Sequence, residues 1–99
     1  MPMVLVELAR LCAPAVLRLA TWGISDPGVR MIHRALEDGL ISQVRCAVDS
    51  HVWTKRGEAW AYLREISTAT AEVCAHAKVY TVVGATRGFG VVGSANLTR

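Results

Sequence analysis

The sequence has few charged and few aromatic residues. Charged residues make up 19% of the 99 residues and aromatic residues 6%, against 53% hydrophobic residues. Such a composition excludes a disordered segment, which is rich in charge and poor in apolar side chains. We therefore expect one compact domain over residues 1–99. Because a chain this short hides its apolar surface with difficulty, the composition also favours self-association.

Long apolar runs and paired cysteines are absent as well. No apolar run reaches the roughly 20 residues of a membrane-spanning helix, and Glu7 and Arg10 interrupt the stretch where a signal peptide needs apolar residues. The three cysteines Cys12, Cys46 and Cys74 are widely separated, which fits reduced, buried thiols. We expect a cytoplasmic protein without stable membrane insertion. Its net charge of +3 weakly favours an anionic partner.

Helical and strand patterns alternate along the chain. The expected order is a helix up to Cys12, a strand over 15–22, a helix from Ser25 or Asp26 to about Asp38, a strand over 40–48, a helix over 55–71, and strands over 73–83 and 89–93. The last two strands are expected to form a hairpin through residues 84–88. This order predicts an α/β fold with a mixed sheet and helices packed on it.

Two short polar segments flank the predicted hairpin. His76 and Lys78 are two residues apart near the start of the first strand, and Ser94 and Asn96 are two apart after the second. Side chains two apart on a strand share a face. Because an antiparallel hairpin brings these two ends together, we expect the four side chains to converge.

This set of side chains suits a phosphodiester. Lys78 offers a positive charge to phosphate oxygens, and Ser94 and Asn96 offer neutral donors. His76 is a nitrogen nucleophile that can attack phosphorus. Gly93 lets the backbone approach the anion closely.

The motif His76-Ala-Lys78 followed by Gly93-Ser94-Ala-Asn96 resembles the signature of the phospholipase D superfamily. The ending Asn96-Leu-Thr98 is similar to members of that superfamily that act on nucleic acid. The resemblance implies that the α/β domain corresponds to one half of a phospholipase D-like fold.

The resemblance also implies a reaction and a partner. The histidine that matches His76 forms a phosphohistidine, residues that match Lys78 and Asn96 hold the phosphate, and no metal or other cofactor takes part. A second histidine, from a second copy of the motif, protonates the leaving group. Because this chain carries one copy, the family pattern implies a homodimer, with nucleic acid as the expected substrate.

Two positions depart from the family pattern. Val83 stands where the family usually has an aspartate, and the sequence ends at Arg99, directly after the motif. Family members continue with further strands and helices after the motif. The resemblance therefore implies a domain that is incomplete at its carboxyl terminus.

Other interpretations stay open at this stage. The chain can instead be a catalytically silent nucleic-acid-binding or assembly module, or a phospholipid headgroup hydrolase or transferase. His33 and His51 lack comparable neighbours and are expected in structural or surface roles. The aromatic residues are expected in the core or an interface, with base stacking as the alternative: Trp22, Trp53, Trp60, Tyr62 and Tyr80. A solvated surface is expected for the basic residues, with a groove for a nucleic-acid backbone as the alternative: Arg30, Arg34, Lys55, Arg56, Arg87 and Arg99.

Overall fold

The computed structural model describes residues 1–49, 57–73, 78–92 and 97. These residues form a mixed five-stranded sheet with helices on it, which confirms the predicted α/β class. The elements in chain order are α1 (Pro2–Cys12), β1 (Ala15–Thr21), α2 (Asp26–Glu37), β2 (Ile41–Asp49), α3 (Gly57–Ile66), β3 (Ala69–Val73), β4 (Val79–Val83) and β5 (Gly88–Val92).

The strand order of the sheet is β3-β2-β1-β4-β5. Strands β1, β2 and β3 are parallel to one another, whereas β4 is antiparallel to both β1 and β5. The carboxyl ends of β1, β2, β3 and β5 therefore meet the amino end of β4 at one edge of the sheet. We call this the carboxyl edge, and the opposite one the amino edge.

The helices pack on one face of the sheet. Helix α1 contacts α2 and β4, and α2 contacts α3 and β2. Burial alternates accordingly along β1, where Leu17 and Leu19 are buried and Arg18 between them is exposed. The core between the layers includes Leu5, Ala9, Leu17, Leu19, Val29, Ile32, Val44, Cys46, Val48, Trp60, Leu63, Tyr80 and Val82. The face that meets the helices is the covered face, and the other is the uncovered face.

Helix α2 begins and ends as the sequence predicts. Ser25 is its N-cap, and the Ser25 hydroxyl accepts a hydrogen bond of 3.2 Å from the amide of Gly28. Pro27 occupies the first turn, where its missing N–H costs nothing. Gly39 follows the helix with a φ of 77°, in the left-handed region that favours glycine.

The predicted helix over 55–71 is too long, because residues 69–73 form β3 instead. The helix stops before Ser67, whose hydroxyl donates to the carbonyl of Leu63 at 2.6 Å. The next residue, Thr68, donates its amide to the Val44 carbonyl of β2 at 2.8 Å, and the parallel pairing of β3 with β2 follows. The predicted strand over 73–83 is also revised, because β4 begins at residue 79.

The remaining sequence expectations on the fold have mixed outcomes. The hairpin of β4 and β5 is confirmed, with its turn between them. Cys12 and Cys46 are buried free thiols, as predicted, and Cys74 lies outside the described residues. Within the described ranges, no helix has the length and apolar character to cross a membrane.

Candidate functional site

One residue of the polar motif is described, and it lies at the carboxyl edge of the sheet. Lys78 is described and directly precedes β4, while His76, Ser94 and Asn96 lie outside the described residues, as does His51. The described residues that flank these positions belong to strand ends at the carboxyl edge. In open α/β sheets this edge is the usual place for ligands.

The pairing of β4 with β5 places side by side the two strand ends that border the halves of the motif in sequence. Val79, which follows Lys78, is the register partner of Val92, which precedes Gly93. Val79 also pairs with Ala20 of β1, so Lys78 directly precedes an inner strand of the sheet. The convergence of the four side chains stays a prediction, since three of them lie outside the described residues.

Lys78 lies beside an exposed tryptophan. Its Nζ atom is 5.9 Å from the centre of the Trp22 ring, which is a cation–π distance. Lys78 itself is half-buried, whereas Trp22 is 37% exposed at the end of β1. The edge therefore presents a cation and an accessible aromatic surface together.

The residue that follows the motif is held firmly. Leu97 is fully buried, and its amide donates to the Gly23 carbonyl at 3.0 Å. The Leu97 carbonyl accepts from the amide of Ser25 at 3.2 Å, and a parallel bridge joins Leu97 to Ile24. These bonds fix the chain after residue 96 against the loop that follows β1.

A buried pair of hydroxyl groups supports that loop. The Thr21 hydroxyl donates to the Gly23 carbonyl at 3.0 Å and lies 3.1 Å from the Tyr80 hydroxyl. The amide of Leu97 also lies 3.3 Å from the Thr21 Oγ1 atom. Burial raises the pKa of Tyr80, and the hydrogen bond to Thr21 partly offsets that rise.

Sequence reasoning missed this support. Nothing in the sequence connects Thr21 with Tyr80 or Leu97, because strand pairing and a long-range bridge bring them together. Gly28 belongs to the same set, since a Cβ atom there would lie 2.7 Å from the Leu97 carbonyl oxygen. Gly28 lies in the first turn of α2, and its close approach to Leu97 has no sequence signature.

Other predicted residues lie away from this edge. His33 Nδ1 is 2.8 Å from the Tyr62 hydroxyl, between α2 and α3, in keeping with a structural role. Trp60 is buried, and its indole N–H donates to Glu72 at 3.0 Å. Arg87 is in the hairpin turn at the amino edge, so it does not share a groove with Lys78. Lys55, Arg56, Trp53 and Arg99 lie outside the described residues.

The described part of the site contributes one cation. Lys78 supplies this charge at the point where strand ends meet. The described residues hold no group of three or more histidine, cysteine or acidic residues that could bind a metal ion. A scan against protein-family models and a search of curated proteins find no match for this chain. Its residues and the geometry of the carboxyl edge are therefore the basis for assigning a function.

Proposed function

We propose that the chain is a phospholipase D-like phosphodiesterase that cleaves DNA or RNA at the carboxyl edge of its sheet. One observation carries the proposal: Val79 and Val92 are register partners, so the strand ends next to His76-Ala-Lys78 and Gly93-Ser94-Ala-Asn96 are adjacent. The position of Lys78 beside the end of β1 supports the same assignment.

The anchoring of Leu97 also supports this function. A segment that contacts a phosphate must hold its donors in place before the substrate arrives, since positioning supplies much of the rate. The bonds from Leu97 to Gly23 and Ser25 fix the residue next to Asn96. Thr21 and Tyr80 act in this account as positioning residues.

In the proposed reaction, an imidazole nitrogen of His76 attacks phosphorus. An N–P bond forms as the P–O bond to the leaving alcohol breaks, and that oxygen takes a proton from the histidine of a second copy. Water then attacks phosphorus, gives a proton to the second histidine, and displaces His76. Lys78, Ser94 and Asn96 bind the phosphate oxygens throughout, and the chemistry uses no metal.

We further propose a homodimer. The 99 residues contain one copy of the motif. Because the resemblance implies a site that takes one histidine from each of two copies, we propose that two carboxyl edges meet across a two-fold axis. The exposed Trp22 ring at this edge provides apolar surface for such a contact or for a nucleobase.

The first test compares hydrolysis by the wild type with that of three variants. A chromogenic phosphodiester and plasmid DNA are the substrates, in excess chelator. We expect chelator-resistant hydrolysis by the wild type, no hydrolysis by His76→Ala, and a loss of at least about a hundredfold in Lys78→Ala. His33→Gln, which changes a histidine bonded to Tyr62, is the control and should keep wild-type activity. Activity that persists in His76→Ala would refute the proposal.

The second test examines the shared site. Wild type and His76→Ala are mixed in equal amounts under conditions of subunit exchange. If both copies contribute a histidine to one site, mixed dimers are inactive and about one quarter of the activity remains. Independent sites would leave about one half of it.

A second candidate function has its own support. The contact between Lys78 and the exposed Trp22 pairs a cation with a stacking surface, which is enough to bind single-stranded nucleic acid without cleaving it. This function predicts salt-dependent binding that survives His76→Ala and weakens in Trp22→Leu. Turnover that is lost in His76→Ala would instead assign the edge to catalysis.

A further inference from the structure

The uncovered face of the sheet has the composition of an interface. Near the carboxyl edge, one step before the register pair Asp49 and Val73, it carries one row of small and branched side chains, in register across the strands: Ala71, Ala47, Ala20, Val79 and Val92. Val92 is 79% exposed, and Val79 and Val83 on the same face are exposed as well. Large exposed aliphatic side chains that share one surface typically mark a binding site.

Two arginines occupy the middle of this face. Arg18 of β1 and Arg45 of β2 are register partners, and both are exposed. Neither has an acidic partner among the described residues. Asp49, on the same face of β2, is roughly 13 Å along the strand from Arg45. Two like charges directly opposite each other are destabilising, and a carboxylate between them would relieve that repulsion.

Small residues form a shallow trough around the two arginines. Ala20, Ala47, Ala69 and Ala71 line it, and the concavity has a volume of about 480 Å³. Small side chains let a second layer of secondary structure approach the sheet closely, at the roughly 10 Å spacing of packed layers. The same sheet already carries helices in this way on its covered face.

We propose that the uncovered face docks an amphipathic helix of a protein partner, and that an acidic side chain within the apolar stripe of this helix pairs with Arg18 and Arg45. The apolar row on the sheet would contact the apolar stripe of the helix, and the arginine pair would bind its acidic side chain. A second copy of this chain fits less well, because a two-fold axis through the trough would bring the same two guanidinium groups together. A polyanion would leave the alanine and valine surface without an apolar partner. The inference does not depend on the proposed function.

The test uses three synthetic helices of about 20 residues, a length at which helices form readily. They share one leucine and alanine stripe and differ only at its centre, which is Glu, Gln or Lys. Fluorescence anisotropy gives each Kd for the wild type and for the double variant Arg18→Gln/Arg45→Gln. We expect the Glu helix to bind about tenfold more tightly than the Gln helix, and the Lys helix more weakly still.

The arginine variants then test whether the preference for the Glu helix comes from Arg18 and Arg45. In Arg18→Gln/Arg45→Gln the advantage of the Glu helix should disappear, whereas Arg30→Gln/Arg87→Gln, with the same loss of charge elsewhere, should retain it. Ala47→Glu, which places a carboxylate in the trough, should weaken binding of the Glu helix. The proposal is overturned if no helix binds, or if the preference for Glu persists without the two arginines. It is equally overturned if Ala47→Glu abolishes a dimer of this chain, or if the arginines instead prove necessary for binding single-stranded DNA.

Discussion

The two edges of the sheet are built differently. At the amino edge the connections are closely packed: Gly84 lies against the Cys12 backbone, and the amide of Ala15 bonds to the Leu40 carbonyl at 3.0 Å. At the carboxyl edge the chain presents Lys78 and the exposed Trp22. The bonds of Leu97 fix the chain at the carboxyl edge as well. The contrast is that this edge also presents a cation beside an exposed aromatic ring, at the place where open α/β sheets usually bind ligands. Substitutions at the two edges should therefore have different consequences.

The largest effect on stability is expected at the amino edge, from Gly84→Val. Its Cβ atom would overlap the carbonyl of Cys12, which belongs to the backbone and cannot move aside cheaply. We expect the free energy of unfolding to fall by about 3 kcal/mol in urea denaturation. Gly90→Val is the control, because no atom lies within 4 Å of its added Cβ. A similar loss in both variants would contradict close packing at this edge.

A smaller loss of stability with a larger loss of function is expected from Gly28→Ala at the carboxyl edge. The added Cβ atom would lie 2.7 Å from the Leu97 carbonyl oxygen and displace the residue after Asn96. We expect a cost of about 1–2 kcal/mol in unfolding and a clear fall in kcat. Gly57→Ala, with nothing within 4 Å of its added Cβ, is the matched helix control. An unchanged kcat in Gly28→Ala would show that the position of Leu97 does not affect the active site.

Substitutions in the buried hydroxyl pair, Thr21 and Tyr80, are expected to cause the next largest loss of stability. Thr21→Val removes an oxygen that bonds to Gly23, Tyr80 and Leu97, so we expect a loss of about 1–2 kcal/mol and faster amide exchange at Leu97. Tyr80→Phe should cost about 1 kcal/mol. The double variant should cost less than the sum of the two, since the single variants remove a shared bond. Strict additivity would argue against that bond.

The smallest effect is a loss of stability at alkaline pH. Burial raises the pKa of Cys46 above its usual 9.0, and the hydrogen bond between Cys46 and Ser67 partly offsets that rise. Burial also raises the pKa of Tyr80 above its usual 10.0. Because a raised folded-state pKa favours the protonated form, this stability is present below pH 9.0 and is lost as the pH rises through the folded-state values. Urea midpoints between pH 8 and 11 should fall for the wild type, and less steeply for Cys46→Ala and Tyr80→Phe. Equal slopes of urea midpoint against pH in all three proteins would show that the raised pKa values of Cys46 and Tyr80 do not cause the loss of stability.

Local patterns predicted most of the architecture. The cap at Ser25, the proline of the first turn and Gly39 mark both ends of α2, because each acts on its immediate neighbours. The spacing of apolar residues placed the first two helices and the first two strands close to their observed bounds. It also predicted the closing hairpin, although the first strand of the hairpin begins at residue 79 and not at 73. The candidate site could be predicted only as far as its residue types and the hairpin that brings the two segments together.

Longer-range features could not be predicted in the same way. Strand β3 follows α3 after two residues, and its pairing with β2 rather than its own composition makes it a strand. The contacts of Leu97 with Thr21 and Gly23 join positions more than 70 residues apart, so no local pattern indicates them. The packing of all the described helices on one face is likewise a property of the assembled sheet.

The most direct test of a phosphate site at the carboxyl edge is a titration with inorganic phosphate. The titration is monitored through the NMR chemical shifts of the backbone amides. The account predicts shifts at Lys78, Val79, Val92 and Leu97, with the Gly84 and Arg87 signals unchanged. Lys78→Ala should weaken these shifts, because it removes the cation that the motif contributes. Shifts centred on Arg87, or none at any concentration that leaves the protein folded, would contradict the account.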